Sequence, residues 1–122
     1  IDFIAYSPLS FGILCIDPDK EENKEKSFIR NALFEKYKKP TYELRKCLKR
    51  IANQRSVSQA QVAINWCCYQ GTIPLVGMRK KSQVIDVSNV FKWNLNKNEF
   101  KVLQEVSKNC LKKMPKNPFS SI

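Results

Sequence analysis

The alternation of apolar and polar positions divides the chain into short elements. "FIAY", Phe3 to Tyr6, is a four-residue apolar run closed by Ser7 and Pro8. It predicts a buried strand, because Pro8 has no N–H to carry a ladder further. Leu44, Cys47, Leu48 and Ile51 recur at i, i+3, i+4 and i+7, the spacing of one helix face. Thr41, after Pro40, is placed to cap that helix over 41–54, and Lys and Arg fill its other side. "SQAQVAINWCCYQ", 58–70, opens with Ser58 and has Gln61 three residues on, a capping-box pattern. Nearly all apolar from Ala60 to Tyr69, it predicts a helix buried on most sides, with Trp66 in the core.

Gly71 stops that helix. "TIPLVG" then predicts a second strand, Ile73 to Val76. Ser82 starts the next helix, with Val84, Val87 and Phe91 on one face. Asn96 and Glu99 form an N-cap and N3 pair before a last helix with an apolar stripe of Phe100, Leu103, Val106 and Cys110. Residues 15–26, charged and containing Asp17-Pro18, read as a surface loop. Residues 27–39 carry Phe28, Leu33, Phe34 and Tyr37 and predict a short helix or an ordered lid. The tail after Lys112, with Pro115 and Pro118, runs over the surface. A strand, a buried helix and another strand predict a βαβ unit with parallel strands. No repeat or second domain interrupts this single segment, 1–122.

Composition narrows the picture. At 122 residues the chain suits one domain with a modest core, whereas a complete eight-stranded barrel enzyme takes roughly 250 residues. With 43% hydrophobic residues it is not compositionally disordered, and no apolar run approaches the roughly 18–20 residues of a membrane span. "IDFIAYSPLS" has no basic leader, so it does not read as a signal peptide. It reads as a chain that starts partway through a longer unit.

The net charge of +11 favours an anionic partner such as nucleic acid, a membrane surface or phosphate. Lysines are scattered along the whole chain, however, so the excess is compositional. A basic nucleic-acid binder is the minor reading, because aromatics do not interleave with the cations. The five cysteines include no CxxC, and there is no His, so no zinc-type spacing exists and no metal is expected. Free thiols point to a reducing compartment, the cytoplasm. Without His the chain can form neither a His-based triad nor a His general base.

Chemistry is expected at the strand ends, since parallel α/β folds bind ligands beyond the carboxyl ends of their strands. The second strand ends at Gly77-Met78-Arg79-Lys80-Lys81-Ser82, just before a helix. A helix N-terminus favours an anion. Gly77 leaves the backbone approachable, and Arg79 offers a fork for phosphate. A solvated turn is the other reading. Tyr6, ending the first strand, is either a stacking face or a core or rim tyrosine.

"IAYSPLSFGIL", followed by "SVSQAQVAINWCCYQGTIPLVGMRKKSQVIDVSNVFKWNLNKNEFKVLQEVSKN", resembles the C-terminal part of an aldo-keto reductase. The matching positions are Tyr6-Ser7-Pro8-Leu9, Ala60-Gln61-Val62-Ala63 with Trp66, Ile73-Pro74 through Gly77-Met78-Arg79, Gln83, and Trp93-Asn94-Leu95. The resemblance implies an α/β fold: a C-terminal fragment of a (β/α)8 TIM barrel, about strands seven and eight with their helices, helix-dominated as an isolated chain. It implies an NADPH-dependent oxidoreductase acting on aldehydes or ketones. Tyr6 would stack on the nicotinamide. Ser7, Leu9 and the turn to Gly12 would lie against the pyrophosphate. Gly77 and Arg79 would face the 2'-phosphate, with Gln83 and Asp86 nearer the adenine. The family's catalytic Asp, Tyr, Lys and His map onto no residue of this chain, which is therefore expected to be inactive alone. Departures are Ser10 for Gly, Asp86 for Glu, and Val87 for an Asn that contacts adenine. A non-catalytic regulatory or binding module of the same ancestry is the alternative. With two strands of eight, both sheet edges and the helix faces that wrap a barrel lack neighbours, so self-association of the fragment is expected.

Overall fold

The computed structural model describes residues 3–6, 10–20 and 28–114. The order is β1 (Phe3–Tyr6), a 3-10 turn (Ser10–Cys15), α1 (Phe28–Tyr37), α2 (Tyr42–Arg55), α3 (Gln59–Tyr69), β2 (Thr72–Leu75), α4 (Lys81–Ser88), a second 3-10 turn (Val90–Lys92) and α5 (Lys97–Lys113). Helix dominates. β1 and β2 pair in parallel, with Phe3 opposite Thr72 and Tyr6 opposite Leu75, as the βαβ pattern predicts. The helix entering β2 must run back against the strand direction, so the first turn of α3 lies at the carboxyl end of the sheet. Gly71 makes the reversal between α3 and β2 at φ +78°, a left-handed conformation open to glycine.

The core forms where α2, α3 and α5 meet. Leu48, Val62 and Leu103 are completely buried, joined by Leu44, Cys47, Ile51, Ala63, Leu95 and Cys110. Each fully buried aliphatic side chain contributes about 1.5–3 kcal/mol relative to exposure. The apolar stripes predicted for α2 and α5 supply most of these residues. Phe100 of the α5 stripe stacks on Tyr69, with ring centroids 4.2 Å apart. The Asn96–Glu99 capping box is complete: the Glu99 N–H donates to Asn96 Oδ1 at 2.8 Å, and the Asn96 N–H to Glu99 Oε1 at 2.8 Å. Trp66 packs half-buried against the core, and its indole N–H donates to Gln104.

Polar side chains depart from the pattern. Arg45 belongs to the expected basic face of α2 yet is fully buried. It donates to Lys38 O at 2.6 Å and to Thr41 Oγ1 at 3.3 Å, and lies over the rings of Phe34 and Tyr42. Thr41 precedes α2 but makes no side-chain cap. Its hydroxyl donates to Tyr37 O at 2.7 Å, closing α1 instead. At α3 only half of the expected capping box forms. Ser58 Oγ accepts the Gln61 N–H, while the Gln61 side chain turns to partners outside the helix. Asn65, inside the apolar run, is buried and donates to Val90 O and Trp93 O while accepting the Leu95 N–H. Each such buried group would cost about 1–3 kcal/mol if left unpaired.

The burial expected of β1 is not met at Ile4, and β2 is open on the same face. Ile4 is 61% exposed, and Ile73 and Leu75 are also exposed. Among the described residues nothing lies over that sheet face. The same holds for α4, where Val84 is exposed and no residue is buried; Phe91, just beyond, is 84% exposed. Tyr69 at the end of α3 is exposed, so that helix is buried chiefly over Gln61–Asn65. These faces need neighbours that the described elements do not supply. Boundaries shift slightly: α4 starts at Lys81 rather than Ser82, and β2 ends at Leu75 rather than Val76. The 15–26 loop is tied down at Asp17 and Asp19, which hold Lys49 at 2.8 and 2.6 Å; residues 21–26, like the tail from 115, lie outside the described residues. The 27–39 stretch contains a helix, α1, with Phe34 buried. No helix among the described residues is long and apolar enough to cross a membrane. All five cysteines are unpaired.

Glu99 joins two elements, because Arg55 at the end of α2 donates Nε to its Oε2 at 3.0 Å. The Arg55 bond, followed by the Asn96 N–H, holds the Glu99 carboxyl below its usual value against the opposing effect of burial. A carboxyl depressed on folding stabilises at pH above its unfolded value, and this contribution disappears as pH falls through the folded value. Replacing Glu99→Gln should therefore cost about 1 kcal/mol at pH 7, a cost that shrinks as pH falls through the folded value of the carboxyl. Chemical denaturation across that range checks it; parallel pH profiles for the two proteins would contradict it.

Candidate functional site

The end of β2 leads through Val76–Lys80 into α4. Gly77 is exposed, and a Cβ built there would meet nothing within 4 Å, so the backbone is open to an approaching group. Arg79, Lys80 and Lys81 are all exposed. The loop is nevertheless fixed in shape. Gln83 Oε1 accepts the backbone N–H groups of Arg79 at 2.8 Å and Lys80 at 3.1 Å. Gln83 thus serves the loop's own backbone, and Arg79 extends from a pinned main chain beside two further cations. Such a corner can attract and hold an anionic group.

Asp86 turns the other way. It is half-buried, and both carboxylate oxygens accept hydrogen bonds from α3: Oδ2 from Ser58 Oγ at 2.6 Å and Oδ1 from Gln61 Nε2 at 2.8 Å. Gln61 Oε1 in turn accepts the Trp93 indole N–H at 3.0 Å. The Asp86 charge is also felt across the gap to the first loop. Crowding by surrounding protein, and secondarily Asp86, push the Cys15 thiol up to about 11, although the residue as a whole is exposed.

The end of β1 lies beside the end of β2, since Tyr6 pairs with Leu75. Ser7 and Leu9 lie outside the described residues. Gly12 sits in the following 3-10 turn at φ +90°, a left-handed conformation that a Cβ would strain. This segment is anchored from two sides. Gln59 Nε2 donates to Leu14 O at 3.0 Å and Ile16 O at 3.2 Å, and Lys49 holds Asp17 and Asp19.

The fold therefore brings the backbone of Tyr6 alongside the strand that leads to Gly77 and Arg79, both ends opening on one side of the sheet. It commits the side chains of Gln83 and Asp86 to protein partners. A shallow depression lined by Glu105, Lys108, Leu111 and Lys112 lies on the outer side of α5 and holds no strand-end residue. Sequence reasoning missed Gln59 and Asn65, and read Ser58 and Gln61 only as capping residues. Their signal was available: polar residues at the start and middle of a helix otherwise apolar on most sides need partners when buried.

Comparison with known proteins fits this arrangement. The aldo/keto reductase family matches over residues 1–108. Chloroplastic pyridoxal reductase of Arabidopsis thaliana is 32% identical over 121 residues, covering 99% of this chain and 33% of the relative. The chain thus spans about a third of the length of that relative. The strand-end motifs, their order and this match along the chain agree, and the chain belongs to the aldo/keto reductase family.

Proposed function

We propose that the chain is the C-terminal, cofactor-facing part of an NADPH-dependent oxidoreductase that reduces aldehydes or ketones. In this reading 1–122 is one segment, its two strands correspond to about strands seven and eight of a (β/α)8 barrel, and it works in the cytoplasm. The observation that carries it is the corner after β2: Gly77 with open space at its Cβ position, next to exposed Arg79 on a main chain pinned by Gln83. The residues fit the cofactor, since an exposed cation beside an open backbone suits a 2'-phosphate. NADPH, when bound, supplies the hydride. Arg79 binds the 2'-phosphate and Gly77 lets it approach. Tyr6 offers a ring face to the nicotinamide, with Ser7, Leu9 and Gly12 along the pyrophosphate. Gln83 shapes the phosphate loop through the Arg79 and Lys80 amides. The relative named for pyridoxal supports a carbonyl substrate, pyridoxal being an aldehyde.

Arg79→Ala should weaken NADP+ binding to the chain by roughly tenfold while leaving NAD+ binding nearly unchanged, because one charged phosphate contact is lost. Quenching of Trp fluorescence measures both. Equal weakening of the two nucleotides would contradict the assignment, as would turnover of a simple aldehyde with NADPH by the isolated chain.

In this reading the exposed sheet face of Ile4, Ile73 and Leu75 is covered in the whole protein by the remainder of the barrel. The isolated chain should then self-associate through it. Size-exclusion chromatography with light scattering should report a dimer or larger species, and Ile73→Lys should shift it towards monomer. A stable wild-type monomer would contradict this.

A further inference from the structure

We propose that the first turn of α3, Ser58 to Gln61, positions both strand-end loops at once, through two separate clasps. This rests on the cofactor reading above, and assigns roles to side chains that do not themselves face a ligand. The first clasp is Gln59, whose single amide donates to two carbonyls of the loop after β1, Leu14 O at 3.0 Å and Ile16 O at 3.2 Å. The second is the Ser58–Gln61 pair, which donates to opposite oxygens of Asp86 at 2.6 and 2.8 Å. Alternate partners on one helical turn thus diverge to the two loops.

Topology explains the placement. α3 runs against the strands, so its N-terminal turn is the part of the crossover that lies nearest both carboxyl ends. Among the described residues of the two loops only Ile13, Leu14 and Pro18 are buried, and α4 buries no residue. The second clasp is charge-assisted, which makes its hydrogen bonds shorter and stronger than neutral ones. Gln61 is itself buried and fixed from behind by Trp93, so it presents its amide in one orientation. Ser58, Gln59 and Gln61 are therefore positioning residues: Gln59 for the pyrophosphate side, Ser58 and Gln61 for the 2'-phosphate side.

Separate clasps predict separable effects. Ser58→Asp keeps an oxygen to cap α3 but cannot donate to Asp86, and sets two carboxylates face to face. Gln59→Leu removes only the donor to Leu14 and Ile16. Amide hydrogen exchange of the free chain should show α4 losing protection roughly tenfold in Ser58→Asp, with Ile16 unaffected; Gln59→Leu should do the reverse. Ser58→Thr should match wild type. In binding, Ser58→Asp should erode preference for NADP+ over NAD+, whereas Gln59→Leu should weaken both nucleotides alike. If Ser58→Asp loses protection throughout, Asp86→Ala, which leaves the α3 cap intact, gives the same comparison. Unchanged α4 protection, or loss of both loops together in Gln59→Leu or Asp86→Ala, would overturn the proposal. Failure of the wild-type chain to bind NADP+ would instead overturn the cofactor reading, with exchange still deciding the clasps.

Discussion

The C-terminal half of the candidate site depends on one carboxylate. Asp86 ties α4 to α3, accepting from Ser58 and Gln61. α4 has no buried side chain and only Asp86 and Val87 are half-buried, so apolar burial within the helix contributes little to its position. A hydrogen bond to a charged group contributes about 1.5–3 kcal/mol, against about 1 kcal/mol for a neutral one. Two such bonds are comparable to burying one or two aliphatic side chains. They suffice to seat a two-turn helix, and with it the loop that carries Gly77 and Arg79. The chain continues from α4 into a stretch gripped by Asn65, which takes the carbonyls of Val90 and Trp93 and the amide of Leu95.

Stability and function are thus built from different parts. The α2–α3–α5 core holds the apolar weight. The two-stranded sheet is marginal by itself, and its exposed Ile4, Ile73 and Leu75 add little burial. What the sheet provides is direction: parallel strands with Tyr6 beside Leu75 deliver both loops to the same edge. α3 links the two parts. Val62, Ala63 and Ile64 face the core, while Ser58, Gln59 and Gln61 reach out to the loops.

Periodicity was sufficient for the core. The Leu44–Ile51 stripe is buried as its spacing predicts, as are Leu103 and Cys110 of α5 with Val106 partly so, and Asn96 with Glu99 caps α5 as the residue pair implies. Pattern failed where burial depends on distant partners. Arg45 lies on a face that reads as basic, yet Phe34 and Tyr42 fold over it and Lys38 O and Thr41 Oγ1 accept from it. Gln61 reads as a capping residue because its alternative partners, Asp86 and Trp93, are 25 and 32 residues away. Apolar Ile4 and Val84 read as buried, since a pattern cannot reveal whether a covering layer exists. At the candidate site, the motif marked the loop residues, but not which side chains turn inward. Gln83 and Asp86 carry protein-facing bonds that spacing could not foretell.

The central claim is that a polar clasp, rather than apolar packing, docks α4. A double-mutant cycle on Gln61 and Asp86 tests it most directly. Stabilities of the wild type, Gln61→Met, Asp86→Ala and the double variant are compared by denaturant unfolding, so that the Trp93 bond lost with Gln61 cancels between the two arms. The account predicts a favourable coupling of about 1–2 kcal/mol. A coupling indistinguishable from zero would contradict it.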